Sequence, residues 1–285
     1  MSLKFVAGIT LYNPDLNIVE HINGYLDSFD AVVVFDNSDK RNIEYNRIIC
    51  QFRKDVRLIY IDGKGNMGLP YAYNRMMEDE RIADFDYMCT LDQDSIFLHE
   101  DIVSMKNYIE NQLPDFGERV AVIGPYIDYG NRRDDKHITK RHVEEKKWLI
   151  TSGAFVNLHL YHNGGFSYDE NYFIDKFEID LCKQFTNAGY RVLMYHASVL
   201  HQRLGEDNGH SHPNHSSLRH YYLFRNRFYF NKKFYSIPKR WILNILQTAR
   251  HVLLIALYED DRILKVSELW KAAKHYRNKN FGKAV

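Results

Sequence analysis

The sequence has little cysteine. Its 285 residues include three, Cys50, Cys89 and Cys182. An odd number argues against a closed disulfide framework, and no pair has the spacing of a metal finger. Structural thiols in a reducing, cytoplasmic compartment are the expectation. An excess of charge of one sign is also missing: 38 Lys+Arg stand against 37 Asp+Glu, a net charge of +1. That balance gives no global steering, and with no binding motif present it excludes a nucleic-acid partner. No uninterrupted apolar run reaches the roughly 18 residues of a membrane span. No charged leader with a long apolar run precedes Lys4. There is no internal repeat and no low-complexity segment. The chain is 45% hydrophobic and 26% charged, as globular proteins are. Its length suits one large domain, or a domain with an appendage.

The first part reads as alternating strands and helices. Strands are expected at Phe5 to Tyr12, Ala31 to Phe35, Val56 to Ile61 and Asp86 to Leu91. Helical spacing fills the gaps: Leu16, Val19, Ile22 and Leu26, then Ile43 to Phe52, then a helix from about Pro70. Short βα connections imply a mostly parallel sheet with helices on both faces, an α/β, Rossmann-like arrangement. Further on, a helix is expected from Glu100 to Gln112, and strands at Val120 to Ile127, Trp148 to Leu158 and Tyr190 to His201. The charge-dense stretch 131–147, with Arg132, Arg133, Asp134, Asp135 and Lys136, reads as an exposed loop. Residues 205–217 are polar and carry His210, His212 and His215. An aromatic helix from Leu218 to Phe230 follows, then helices at Arg240 to Tyr258 and Lys265 to Arg277. From Lys232 to Val285 there are twelve Lys/Arg and four Asp/Glu, a net charge of +8. These basic, Trp- and Leu-bearing helices suggest peripheral docking on an anionic membrane, the inner face of the plasma membrane. Packing on the domain and a dimer interface are the alternatives.

In parallel sheets ligands bind at the carboxyl ends of the strands. Three polar clusters fall there: Asp36-Asn37-Ser38, Gly65-Asn66-Met67-Gly68 and Asp92-Gln93-Asp94. In extended chain, residues two apart point the same way, so Asp92 and Asp94 would repel without a cation nearby. Their oxygens suit Mg²⁺ or Mn²⁺, which also bind substrate phosphates. The competing reading is a polar turn.

The ordered set of motifs resembles the inverting family 2 glycosyltransferases of GT-A fold, and more narrowly their rhamnosyltransferase-like branch. It comprises Ile9-Thr10-Leu11-Tyr12-Asn13-Pro14, Val34-Phe35-Asp36-Asn37-Ser38, Gly65-Asn66-Met67-Gly68 with Ala72 and Asn74, and Leu91-Asp92-Gln93-Asp94-Ser95. Thr151-Ser152-Gly153, the acidic group Asp175, Glu178 and Asp180, His201 with Gly205, and Arg219-x-Tyr221-Tyr222-x-x-Arg225-Asn226 complete it.

The resemblance implies an inverting, metal-dependent transferase that uses Mg²⁺ or Mn²⁺. The donor would be a UDP- or dTDP-linked sugar, dTDP-rhamnose in that branch. The acceptor would be a cell-surface glycan or a lipid-linked one. Asp94 would ligate the metal first, Asp92 would serve metal and ribose, and His201 would be a third ligand. Asp36 would accept from the base N3–H. Thr10 and Tyr12 would line the base pocket or pack the core. Gly65, Asn66 and Asn74 would lie along the donor. Arg219 and Arg225 would grip the diphosphate, with Tyr222 beside them. Thr151, Ser152 and Gly153 would lie on the acceptor side. Glu178 is the expected base, with Asp175 the second candidate, because Phe177 stands where the family has the Glu of a Glu-Asp pair. Residues 1–235 would form the GT-A domain, with a donor half (1–130) and an acceptor and catalytic half (131–235). Residues 236–285 would be a helical extension. A silent nucleotide-sugar binder or scaffold is one alternative. A nucleotidyltransferase is another, but it would want a Gly-rich Lys/Arg loop after the first strand, and none is there.

Overall fold

A computed structural model describes residues 2–39, 43–52, 55–113, 119–130, 143–202 and 214–284, with the side chains of 43–46 set aside. Arg132, Arg133, Asp134, Asp135, Lys136, Gly205, His210 and His212 lie outside the described residues. The chain divides into two compact units. The first comprises Met1–Asp169 and Glu178–Arg203; the second comprises Glu170–Phe177 and Leu204–Val285.

The first unit is a mixed α/β layer structure. Strands β1 (Phe5–Leu11), β2 (Ala31–Asp36), β3 (Leu58–Asp62) and β4 (Tyr87–Asp92) pair in parallel, in the order β3-β2-β1-β4. β1 and β2 are buried at every position, which is why they read as continuous apolar runs and not as alternating ones. Beyond β4 the order continues through β8 (Ala154–Asn157), β6 (Val120–Asp128), β9 (Arg191–His201) and β5 (Ile96–Phe97). β8 runs antiparallel to both β4 and β6, whereas β6 and β9 are parallel. β7 (Val143–Glu145) pairs antiparallel with β9. The end of the charged stretch expected to be loop is therefore a short strand.

Helices α1 (Asn17–Leu26), α2 (Ile43–Phe52), α3 (Leu69–Met77), α4 (His99–Gln112), α5 (Leu158–Asn163) and α6 (Phe177–Asn187) flank the sheet. α1 and α3 pack on β2, and α4 packs on β9. Phe155 of β8 joins the core across layers, with its ring about 6 Å from those of Phe5 and Phe29. Each such side chain contributes about 1.5–3 kcal/mol by leaving water.

The second unit holds α7 (Ser217–Phe234), α8 (Ile237–Tyr258) and α9 (Arg262–Arg277) with the segment 170–177. Ser216 caps α7 by accepting from the Arg219 N–H. Its apolar cluster is small: Phe173, Tyr221, Tyr222, Phe224, Ile255 and Ala272. Much of its interior is polar. A donor chain runs from the Arg227 guanidinium to His251 Nδ1 (3.0 Å), from His251 Nε2 to His220 Nδ1 (2.9 Å), and from His220 Nε2 to Glu259 (2.8 Å). Arginine only donates, so His251 Nδ1 must accept, and both imidazoles are neutral with the proton on Nε2. Lys265 closes the chain on Glu259 at 3.0 Å.

Candidate active site

The parallel half of the sheet sets the site. Register places Leu11 beside Asp36 and Thr10 beside Asp92, so β1, β2 and β4 end on one rim. Backbone and amide bonds tie that rim together. The Tyr12 N–H donates to Gln93 Oε1 at 2.8 Å, and Gln93 Nε2 returns to Tyr12 O at 3.4 Å. The Asn37 N–H donates to Leu11 O at 2.9 Å. Asn37 Nδ2 reaches Gly68 O at 3.1 Å and its Oδ1 accepts from the Met67 N–H at 2.9 Å, latching the glycine loop to β2. Gly65 and Gly68 have φ of 123° and 90°, where a side chain would strain the backbone. A Cβ on Gly63 would stand 2.6 Å from Asp36 O, so the chain can approach β2 that closely only at glycine.

Asp36 is wholly buried, and both oxygens are engaged: Oδ1 accepts from the Ser38 N–H at 2.9 Å, and Oδ2 from the Tyr60 hydroxyl at 2.8 Å. It holds the turn and offers no exposed edge to a nucleobase. The exposed carboxylate here is Asp39. It accepts from the Asn66 N–H at 3.0 Å and the Tyr12 hydroxyl at 3.3 Å. Asp39 adjoins a sequence motif without belonging to it, and Gln93 lies within Asp92-Gln93-Asp94 with no role assigned to it there. The Thr10 hydroxyl lies buried near Tyr73. Burial drives the Tyr73 phenol well above its usual range, and the Asp92 charge adds to this. Asn74 faces inward: its Oδ1 accepts from the Tyr161 hydroxyl (2.8 Å) and the Tyr168 N–H (2.9 Å).

The two carboxylates after β4 differ. Asp92 is half-buried, and Gln202 Nε2 lies 3.4 Å from its Oδ2. Asp94 is exposed. His201, expected as a third ligand, turns Nδ1 to Asp128 at 3.2 Å. No group of three His, Cys, Asp or Glu side chains among the described residues stands ready to hold an ion. The donor set nonetheless suits Mg²⁺ or Mn²⁺, which take one or two carboxylates and complete their shell with waters and phosphate oxygens.

Thr151-Ser152-Gly153 clamps the far side of β4. The Gly153 N–H donates to Thr90 O at 2.7 Å, the Asp92 N–H to Ser152 Oγ at 3.3 Å, and Ser152 Oγ bonds Ser95 Oγ. Gly153 has φ of 80°, and a Cβ there would meet Leu200 and Pro125 at 2.8 Å. Ser152 also lines a cleft of about 360 Å³ whose walls carry Tyr126, Tyr129, Trp148, Lys146 and Lys147. Trp148 and Tyr129 are exposed there. Glu178 lies in the first turn of α6. Burial pushes the neighbouring Cys182 thiol up to about 12, with a backbone contact from Leu149, a residue of the cleft wall, opposing and the Glu178 charge adding.

In the helical unit, the segment 170–177 is strained. Phe173, Asp175 and Lys176 have φ of 68°, 58° and 74°. Arg225 and Asn226 hold it by its carbonyls. The Arg225 guanidinium donates to Asn171 O (3.1 Å), Tyr172 O (2.9 Å) and Gly282 O (2.7 Å). Asn226 Nδ2 reaches Tyr172 O, Ile174 O and Asp175 O. Arg225 is wholly buried, so the residue expected to grip a diphosphate instead fixes a loop. Tyr222 stacks on Phe173, and its hydroxyl accepts from the Ala284 N–H. Arg219 is exposed and meets Asp175 Oδ1 at 3.3 Å. Asp175 Oδ2 is buried with no hydrogen-bond partner among the described residues. Burial raises this carboxyl, with Arg219 opposing.

No protein-family model matches the chain, and no curated protein sequence matches it. Solved structures do. The chain is similar to GalNAc-T7 with UDP, GalNAc and Mn²⁺ at a TM-score of 0.57 and 11% identity, over 71% of this chain and 44% of that one. It is similar to Staphylococcus aureus TarS 1-349 in complex with UDP-GlcNAc at 0.56 and 12%, over 97% and 92%. The chain thus spans less than half the length of the first and nearly all of the second. The fold is that of the GT-A glycosyltransferases, here a mixed sheet flanked by helices.

Proposed function

We propose that the protein transfers a sugar from a nucleotide diphosphate to a saccharide acceptor, inverting the anomeric carbon. The observation that carries this is the polar rim at the ends of β1, β2 and β4, with exposed Asp94 beside half-buried Asp92, on a sheet whose structural relatives were solved with UDP or UDP-GlcNAc. The donor is UDP- or dTDP-linked, and dTDP-rhamnose is the first sugar to try.

Asp94 and Asp92 would hold Mg²⁺ or Mn²⁺, which when bound supplies positive charge to the leaving diphosphate. Tyr12, Asp39 and the loop Gly65–Gly68 lie along the same rim and would line the donor. The aromatic cleft supports an acceptor role: Trp148 and Tyr129 offer flat faces to sugar rings, and Lys147 offers a cation. Asp175 is the proposed base, with Glu178 the alternative: both have a buried carboxylate oxygen, and of the two only Asp175 sits on left-handed backbone. A buried carboxylate oxygen without a partner, on a strained backbone, is expensive unless it is used. It would take the proton of the acceptor hydroxyl as that oxygen bonds to the anomeric carbon. The bond to the diphosphate breaks with its electron pair, and no covalent enzyme intermediate forms.

The test is a screen of UDP- and dTDP-sugars with Mg²⁺ or Mn²⁺, reading release of the nucleotide diphosphate. Asp94→Asn and Asp175→Asn are each expected to lower turnover by about 10²–10⁴. Release from no donor would sink the reading, as would unchanged turnover in both variants.

A further inference from the structure

Helix α8 is built inside out. The side that faces into its own unit is polar: Asn244 meets Asn231, Gln247 meets Asn231 and Arg227, and His251 sits in the chain from Arg227 to Glu259. The opposite side is apolar and open. Trp241, Ile245, Leu246, Leu253 and Leu257 recur at helical spacing and are each more than half exposed, at 60%, 64%, 61%, 56% and 56%. On α9, Trp270 is 77% exposed. A solvated helix would carry these two faces the other way round. None of the described residues covers the apolar one.

The charge around it is mostly positive, with Glu259, Asp260 and Asp261 following the helix directly. α8 contains Lys239, Arg240 and Arg250 and no acidic residue. Residues 232–285 carry a net charge of +8. We propose that this face lies on an anionic lipid surface, with the axis of α8 in the membrane plane. A second copy of the chain fits it less well. Two-fold pairing of α8 would bring together two regions of net charge +8, which Glu259, Asp260 and Asp261 after each helix offset only in part. At 22 residues, with an 18-residue stretch of mean hydropathy 1.3, α8 is long enough to cross a bilayer. Crossing would strip Asn244, Gln247 and His251 of their partners in α7 and leave them in hydrocarbon. Lying flat keeps those bonds and buries only the apolar side, while Arg250 extends its guanidinium to the headgroups. This inference rests on the helical unit alone and not on the transfer chemistry.

The experiment is vesicle flotation of the full chain, on phosphatidylcholine alone and on an equal mixture with phosphatidylglycerol. Binding to the mixed vesicles, weakened by salt, is expected. The triple variant Ile245→Gln, Leu253→Gln, Leu257→Gln is expected to lose at least about tenfold in partitioning with its circular dichroism unchanged, because all three side chains point outward. The pair Lys239→Glu and Arg250→Glu is expected to lose the preference for the anionic lipid. Equal partitioning of the triple variant and the natural chain would overturn the proposal. So would a lipid-free dimer, seen by sedimentation, that the triple variant abolishes.

Discussion

Asp175 and Arg219 form a pair whose sign can be worked out. Burial disfavours the charged carboxylate and raises its pKa, and the guanidinium 3.3 Å away opposes this. A base must be deprotonated, so turnover falls as pH drops through that raised value. The acid limb of the rate profile is expected above the usual carboxylate range, and Arg219→Ala should move it higher still. A limb that Arg219→Ala leaves in place would remove Asp175 from the role of base. At this scale the sequence was only partly legible. The strand-end polar residues were found because turns and ligands both select Asp, Asn and Gly. Which of them face solvent was not legible. Asp36 and Asp94 look alike in sequence, yet one is wholly buried and the other exposed. Arg225 misleads for a similar reason: a guanidinium serves phosphate oxygens and peptide carbonyls with the same geometry.

Among elements, the long periodic ones were legible, and the short ones were not. β5 has two residues and β7 three, too few to show a period. Both are made strands by pairing with β9, which local sequence does not announce. The contact between α7 and α8 carries a pH prediction. Burial, with the charges of Arg227 and His220 adding, lowers His251 to about 3 from its ordinary 6.5. Burial pushes Glu259 up, but the bonds from Lys265, His220 and the His215 N–H outweigh it and hold the carboxyl at about 2 against 4.5. In both windows the unfolded chain binds a proton that the folded one refuses. Stability is therefore full above 6.5 for His251 and drains as pH falls towards 3, with Glu259 adding its loss between 4.5 and 2. The urea midpoint of the helical signal is expected to fall on acidification. His251→Gln, whose amide can still accept from Arg227 and donate to His220 without titrating, should flatten the upper part of that fall. A midpoint indifferent to acid would contradict the neutral-histidine chain.

For the whole molecule, the path of the chain matters more than its length. It leaves the sheet unit at Glu170, returns at Glu178, and leaves again at Leu204. That the segment 170–177 belongs with helices some fifty residues later is not legible locally; its bonds to Arg225 and Asn226 span that distance. The end of the chain joins the same knot. Gly282 O accepts from Arg225 (2.7 Å), the Gly282 N–H donates to Asn171 O (2.9 Å), and the Ala284 N–H donates to the Tyr222 hydroxyl (2.8 Å). Deleting residues 279–285 removes all three, at a cost of roughly 2–5 kcal/mol. The expected result is a folded protein by circular dichroism whose turnover drops more than about tenfold through a loosened Asp175 loop. Full turnover after the deletion would show that the tail does not hold the loop.

The left-handed residues of that loop have a consequence for anyone selecting sturdier variants. Phe173, Asp175 and Lys176 each hold a backbone shape that glycine adopts freely, but Phe173 also packs on Tyr222, so glycine relieves strain without opening the core only at 175 and 176. A thermal screen blind to activity would favour such changes. At 175 the same change deletes the carboxylate, and at 176 it slackens the frame that presents it. The region easiest to improve by heat is the one where improvement most endangers the chemistry.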